Sequence, residues 1–489
     1  MARSATIVRP TSGTDLLRLP LLGRWLRWKH ARTSAQAMLL VLSLLVLYDG
    51  FLGPPLAPKN LAGVLPWVHW RGLVVLGLLL VGNVFCFACP FMLPRRLAKR
   101  WFHGRRPWPR WLPGKLVAIV TLGLFFWAYE AFSLWASPWL TAWVALAYFV
   151  GAFVIDGVFA GAAFCKHVCP IGQFNFVMSL SSPTEVTVRD PAICLQCQTK
   201  DCIHGRYDAH GRLLQSGCEL WLFQPRKVGN LDCTFCLDCV QACPYDNVGV
   251  LVRNPLMREF SGNPVRSGIG RWSQRIDLGA LVLLLVFGAF LNAFGMVEPA
   301  TITVQWLRRI TGIDARPTLL AIVFGLGLVV LPVILVGLAA FASRLLTKQA
   351  EPLLTVATRF SYALAPLGFG MWLAHYQFHF LTGALTIVPV LQSFVADVAG
   401  APLLGQPRWD LAQLLPLGAI TVLKLLFLQL GFLGTIGAIR FVSRDWVGEK
   451  QMLRASLPWL VVSVGLLLVG IWLLLLPMDM RGTLMGMGG

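Results

Sequence analysis

Eight of the chain's twelve cysteines fall between residues 194 and 243, in spacings that suit iron–sulfur chemistry. In Cys233-x2-Cys236-x2-Cys239-x3-Cys243-Pro244, three thiols can fold around one corner of a cubane. In two-cluster ferredoxins the fourth, followed by proline, ligates the other cluster. Upstream, Cys194-x2-Cys197-x4-Cys202 is followed by Cys218 after a gap of fifteen residues. In the usual crossed arrangement one [4Fe-4S] cluster takes Cys194, Cys197, Cys202 and Cys243. The other takes Cys218, Cys233, Cys236 and Cys239. The first motif is longer than usual, and Glu219 rather than proline follows Cys218. Structural zinc is the competing reading. Zinc sites favour cysteine pairs separated by a long gap, and a C-x2-C-x2-C triple ending in Cys-Pro has a different form.

Two further pairs, Cys86-x2-Cys89-Pro90 and Cys165-x3-Cys169-Pro170, close long apolar runs. On a helix, either spacing puts both thiols on one face about a turn apart. The proline is expected to end the helix and free backbone groups beside them. These four thiols could hold a further metal centre or form redox-active pairs; the alternative is small buried residues packing near the surface.

Polar groups at membrane depth are costly and often functional. His375 and His379 share a helix face and could bind a quinone, copper or haem, although one helix cannot supply both axial ligands of a single haem. The alternative is a hydrogen-bonded polar pair. Lys424 is expected mid-span, paired with a carboxylate, and Arg359 likewise near the inner end of its span. Asp49, Glu130 and Asp156 could accept the protons that quinol oxidation releases, or serve as packing salt bridges. Met478, Met480, Met485 and Met487 carry thioethers that can bind Cu(I), with a disordered, oxidisable tail as the plainer expectation. Gly268-Ile269-Gly270 lacks the rest of any phosphate-binding pattern.

The elements that must position these groups are membrane helices. The chain has 489 residues, 56% hydrophobic and 13% charged, with a mean hydropathy of +0.67. A soluble protein would carry roughly a quarter charged residues. Nine spans are expected, near 36–52, 72–92, 116–136, 140–164, 278–297, 318–343, 355–381, 412–437 and 457–477, each long enough to cross a bilayer. The net charge of +20 reads as the Lys and Arg excess of cytoplasmic loops rather than a nucleic-acid surface. With the N-terminus inside, the tail holds seven basic residues and the 93–115 loop eight; the loops assigned outside hold seven in all, chiefly Arg308, Arg309 and Arg316. That orientation puts all twelve cysteines on or near the cytoplasmic side and the C-terminus outside. Residues 1–35 read as a basic cytoplasmic tail, because no short apolar core precedes a cleavage site. The hairpins 36–92 and 116–164 look like two copies of one unit.

Membrane hairpins ending in a motif such as Cys165-x3-Cys169-Pro170, joined to a double-cluster cysteine segment, resemble the NapH/NosR/MauN-type membrane polyferredoxins. The FixG/CcoG proteins are more distant relatives. The resemblance covers about residues 36–250, and Cys86-x2-Cys89-Pro90 is one residue short of the family motif. It implies a bacterial inner-membrane protein that transfers electrons between the quinone pool and a periplasmic or cytoplasmic redox partner or subunit. As an enzyme it would be a quinol-linked oxidoreductase subunit.

The fold expected is therefore an all-α polytopic membrane protein with an inserted cytoplasmic ferredoxin-like 2[4Fe-4S] domain. Its parts are the tail 1–35, a four-helix unit 36–169, the ferredoxin-like domain 170–277, a five-helix domain 278–477 without an evident role, and an external Met-rich tail 478–489. Two other functions fit the same residues. One is copper reduction or handling through the His pair and Met tail; the other is a membrane anchor and assembly scaffold for a respiratory complex.

Overall fold

A computed structural model describes residues 14–102, 106–112, 114–253, 265–266 and 270–478. Met480, Met485, Met487 and the Gly268-Ile269 pair lie outside the described residues. Among the described residues, eight helical stretches are long and apolar enough to cross a membrane. In chain order the helices used below are α1 (Ala31–Leu52), α2 (Leu61–Leu80), the amphipathic α3 (Met92–Phe102), α4 (Leu116–Ala131), α5 (Pro138–Val158) and α6 (Pro170–Met178). The second half adds α7 (Ile276–Phe294), α8 (Glu298–Thr311), α9 (Arg316–Thr347), α10 (Leu353–Ser361), α11 (Ala365–Gly383), α12 (Ile387–Ala399), α13 (Leu417–Val447) and α14 (Met452–Leu475). Helices α10 to α12 form one continuous apolar stretch of 47 residues, broken by short 3-10 turns at Tyr362–Leu364 and Ala384–Thr386.

The third expected span, 116–136, is α4 and has only 16 residues, about 24 Å at 1.5 Å per residue. It stops where Ser133 takes a left-handed φ of 47°, which a helix cannot continue through. Its side chains tie it to the second half: Trp127 Nε1 donates to the Pro317 carbonyl at 2.9 Å.

Two expected boundaries move. The second span is 61–80 rather than 72–92, and a break at Val81–Asn83 separates it from a short helix, Val84–Ala88. The fourth ends at Val158, before a π-turn at Phe164–Val168. The cysteine pairs therefore sit on separate turns beyond the spans. Pro170 also acts opposite to expectation. It opens α6 at the first helical position, where a missing N–H costs nothing, and the Cys169 sulfur caps that helix by accepting from Gly172 N at 3.2 Å.

Between α6 and α7, among the described residues, no helix is long and apolar enough to cross a membrane. Strand β1 (Thr184–Val188) pairs antiparallel with a strand at Val248–Val252, in register from Thr184 opposite Val252 to Val188 opposite Val248. This ladder brackets the cysteine-rich loops, so both motifs start or end at one small sheet. Leu180, Val186 and Val250 there join the same buried cluster as Phe126, Leu281 and Trp372 in the membrane. The two membrane halves and the cysteine segment thus share one core.

Close helix packing depends on small residues. At Gly370 of α11 an added Cβ would lie 2.6 Å from the Phe427 carbonyl, and at Gly431 of α13 one would lie 2.6 Å from the Pro366 carbonyl. Without a hydrophobic drive between helices in lipid, such backbone approach supplies the packing. Trp372 Nε1 donates to Leu285 O at 2.9 Å and Gln377 Nε2 to Gly72 O at 2.7 Å, so α11 is pinned to α7 and to α2.

Helix α8 joins α7 to α9 on the face away from the cysteines. Ile302, Trp306 and Ile310, spaced by four, are all exposed on it, as suits a helix lying in the bilayer interface. Arg308 and Arg309, exceptions to the charge pattern, lie in its last turn, where the helix dipole favours cations.

The seam between membrane and cysteine segment is built on buried ions. Lys115, at the start of α4, donates to Asp232 Oδ1 at 2.6 Å and to Lys166 O at 2.9 Å. Both side chains of the pair are at most 3% exposed. Removing one partner of a buried pair leaves an unpaired charge and costs about 3–5 kcal/mol. Lys115→Met should therefore lower the aggregation temperature of the detergent-solubilised protein, and adding Asp232→Leu should recover most of the loss. Equal stability of the single variant and the parent, by size-exclusion after heating, would remove the pair from this role.

Candidate cysteine centres and the cavity beneath them

The eight cysteines between residues 194 and 243 gather into two sets. Cys194, Cys197, Cys202 and Cys243 line one small pocket. Asn247 holds it together: its side-chain nitrogen lies 3.2 Å from Cys194 Sγ, and its backbone N–H points to Cys243 Sγ at 3.4 Å. Asn247 is fixed by a two-way bond to Asp190, donating to its carbonyl at 2.6 Å and accepting from its N–H at 2.9 Å. The second set is Cys218, Cys233, Cys236 and Cys239, close enough that the other three each act electrostatically on Cys239. The two sets touch where Cys218 N donates to Cys202 O at 2.9 Å.

The loops that turn these thiols inward are strained. Asp232, Phe235 and Leu237 have φ of 62°, 53° and 60°. Bulky residues rarely take the left-handed region, and each costs on the order of 1–3 kcal/mol. All three interleave with Cys233, Cys236 and Cys239, so the strain sits where sulfur direction is set.

The membrane-end pairs converge as well. Cys169 lies within electrostatic reach of Cys165, Cys89 and Cys86. Asp156 receives the Phe164 N–H at 2.8 Å, which starts the Cys165 turn, and Arg95 lies 3.7 Å from its other oxygen. Arg95 also pairs with Glu219, beside Cys218. Cys165 Sγ meets the Met92 thioether at 3.4 Å. The residues between Cys165 and Cys169 are structurally engaged: Lys166 Nζ donates to Leu220 O at 3.3 Å, and His167 stacks on Trp108 at 4.5 Å. Burial pushes the His167 pKa down to about 4, so its ring is neutral at pH 7.

Two buried asparagines, which spacing rules for cysteines do not single out, hold Cys86, and Asn83 connects it to the second set. Asn83 donates to Cys233 O at 3.0 Å and accepts from Cys86 N at 3.3 Å. Asn175 donates to Cys86 Sγ at 3.4 Å. The signal available in the sequence was a polar residue within a few positions of each motif: Asn83, Asn175 and Asn247.

Among the described residues, no group of three or more His, Cys, Asp or Glu is drawn tightly enough to hold a single metal ion. The donor set nevertheless fits a larger polynuclear centre. It is four thiols around a shared pocket, with N–H groups aimed at two sulfurs. Burial, with the neighbouring thiols, raises Cys202 to about 12; only a bound cationic centre would make such a thiol an effective anionic ligand.

The other candidate residues are dispersed. His375 and His379 stand ring to ring at 5.0 Å, and His379 Nε2 lies 3.2 Å from Met296 Sδ. Asp49 Oδ2 accepts from Leu61 N at 2.6 Å and so starts α2. Glu130 is buried at the end of α4, beside Gly295. Arg359 pairs with Glu351 at 3.3 Å, as expected. Lys424 departs from expectation. It lies two turns inside the N-terminal end of α13 and donates to the Leu474 carbonyl at 2.8 Å, with its ammonium 4.8 Å from the Phe378 ring. The last carbonyls of α14 lack intrahelical partners, so they take the place of a carboxylate. Met478 forms an antiparallel bridge with Val297.

A larger cavity of about 330 Å³ lies below the cysteine turns, among α1, α2, α4 and α5. Phe85, Pro90, Phe91, Pro170 and Ile171, neighbours of the four membrane-end cysteines, form one end of it. None of His375, His379, Asp49, Glu130, Asp156 or Lys424 lines it.

Asn83 is fully buried and serves both neighbouring elements. Replacing it by leucine leaves the Cys233 carbonyl and Cys86 amide without that partner, a loss of about 1–3 kcal/mol. Asn83→Leu should raise the alkylation rate of Cys86 at least fivefold in the reduced protein, measured by mass spectrometry. An unchanged rate would mean that the seam does not depend on this bridge.

No family model, no curated protein and no solved structure matches this chain.

Proposed function

We propose that this chain is an integral-membrane electron-transfer protein that passes electrons between the quinone pool and a partner redox protein through two [4Fe-4S] clusters. Cys194, Cys197, Cys202 and Cys243 would hold one, and Cys218, Cys233, Cys236 and Cys239 the other. The observation that carries the reading is the first of these sets. Cysteines from the two ends of the segment meet at one pocket under Asn247, which is the crossed pairing that two-cluster ferredoxins use. When bound, each cluster supplies one-electron oxidation and reduction.

The chain's own residues do the rest. N–H groups directed at sulfur stabilise added negative charge and so raise the potential; Asn247 does this at the outer set. Burial around Cys233 and Cys239 excludes water from the inner set. Asn83 fixes the distance from that set to Cys86, whose sulfur Asn175 holds from α6. Leu195, between Cys194 and Cys197, and Tyr245, beside Cys243, are exposed, giving a partner protein apolar contacts at the outer set.

One observation favours copper handling instead: the approach of His379 to the Met296 thioether inside the membrane. Imidazole with thioether is a donor pair for copper. Copper that copurifies in stoichiometric amount and is lost in His375→Ala and His379→Ala would support that reading.

The test is anoxic. The purified, oxidised protein should contain about eight irons, and added decyl-ubiquinol should reduce its clusters, followed by EPR beside a dithionite control. Cys243→Ala should bring the iron to about four while the signal of the other cluster persists. Zinc in place of iron, or clusters reduced by dithionite alone, would overturn the proposal.

A further inference from the structure

The cavity beneath the cysteine turns combines features that an ordinary packing gap lacks. Its walls are mostly aromatic and aliphatic, and its volume, about 330 Å³, falls in the range of small-molecule sites. Leu42 and Leu73 line it and are also 41% and 52% exposed, so its rim reaches the lipid-facing surface. One end abuts the membrane-end cysteines through Phe85, Phe91 and Ile171.

Its polar groups are unusual for this depth. Arg71 lies within α2, not in the outer loop to which the charge count assigned it, and is 7% exposed. Its guanidinium sits 4.9–5.3 Å from the rings of Tyr376, Trp67 and Tyr129. It donates to Trp67 O at 2.9 Å and to the Tyr129 hydroxyl at 3.3 Å. Among the described residues no carboxylate pairs with it. Aromatic faces stabilise a desolvated cation by about 2 kcal/mol, less than burying a charge costs. Trp70 Nε1 and Asn292 Oδ1 are buried atoms on residues lining the cavity, and neither has a hydrogen-bond partner. A buried polar group left unmade costs about 1–3 kcal/mol, so a ligand that completes them would gain that amount. Tyr148 adds a hydroxyl on the cysteine side, near Cys169 and Cys89. The π-turn Leu65–Trp70 presents Trp67 and Trp70 to the cavity, and such bulges recur at functional sites.

We infer that this cavity binds the ring of a lipid-soluble quinone or quinol, with Arg71 and Trp70 as donors to its oxygens, Asn292 as acceptor from the reduced form, and Tyr148 between the ring and the membrane-end cysteines. The inference rests on the proposed quinone-linked function and gives it a site distinct from the histidines and carboxylates to which the sequence pointed. A phospholipid acyl chain would fill the apolar walls, but it would leave both orphaned atoms unsatisfied. A planar ring with two opposed oxygens can accept from Trp70 in either redox state and, as the quinol, donate to Asn292, while stacking against the indoles.

The site is tested by photolabelling the whole protein in lipid nanodiscs with an azido-benzoquinone bearing a decyl tail, with and without excess decyl-ubiquinone. Saturable, displaceable label within 39–46, 65–91, 122–148 or 170–174, or at Asn292 or Tyr376, is the expected result. Arg71→Met and Trp70→Phe should each reduce displaceable label at least tenfold. Asn292→Leu, nearly isosteric, should weaken displacement by the quinol more than by the quinone, which a general loss of folding would not do. Label that maps elsewhere, or that excess quinone does not displace, would overturn the site. Because the readout needs no cluster, the two proposals fail separately. Mapped label without reduction of clusters by quinol would sink the electron-transfer reading alone, and cluster reduction with label elsewhere would sink this site alone.

Discussion

A charge buried where the cysteine segment meets the membrane helices has to find its counter-charge across that seam, and much of the molecule's order follows from this constraint. Arg32 at the start of α1 reaches Asp238 at 2.7 Å, Lys115 at the start of α4 reaches Asp232 at 2.6 Å, and Arg95 on α3 reaches Glu219. Each cation belongs to a membrane element, and each carboxylate adjoins a cysteine of the second set. These pairs need not add net stability, because desolvation offsets much of their attraction. What they impose is register, since a slip at the seam would leave several buried charges unpaired at once. The cysteine loops are thereby held against the turns that carry Cys86 and Cys165.

Within the bilayer the same cost is met in three ways. Arg359 is paired with Glu351 near the edge of the membrane part. Lys424 uses the free carbonyl at the end of α14. Arg71 has three aromatic faces and a main-chain carbonyl. The first has a counter-charge and the second a main-chain acceptor. The third sets a positive charge at the wall of a cavity, where a ligand oxygen can complete it.

The parts of this structure that were legible in the sequence are those fixed by local pattern. Runs of apolar residues gave the spans, and the spacing Cys233-x2-Cys236-x2-Cys239 marked the segment where the thiols converge. What could not be read depended on partners distant in the chain. Pro170 looked like a helix stop but starts α6, because the turn before it is set by Asp156 and Phe164. Arg71 looked like a loop cation because the lower boundary of the second span was placed eleven residues late; its neighbours Tyr129 and Tyr376 come from α4 and α11. Asn83 and Asn175 carry no motif; the role of Asn83 exists only once Cys86 and Cys233 are brought together, and that of Asn175 only once α6 meets Cys86. The lone Lys424 suggested a carboxylate, whereas a helix terminus can serve as the anion.

The second membrane half, which carried no motif beyond a histidine pair, acquires a part through this geometry. Asn292 on α7 and Tyr376 on α11 both line the cavity, whose other walls come from the first half. Gln377, one residue on from Tyr376, holds the Gly72 carbonyl at 2.7 Å, directly beside Arg71. Gly72 itself permits this approach, since a Cβ there would lie 2.4 Å from Phe380. Helix α11 is in turn locked to α13 through Gly370 and Gly431. The later helices therefore brace the arginine and close its cavity, while the earlier ones bring the four cysteines to the cavity's end. On the proposed reading, the outer cysteine set, the inner set, the membrane-end cysteines and the cavity stand in contact order along one path. That order exists only because both halves of the chain build its inner end.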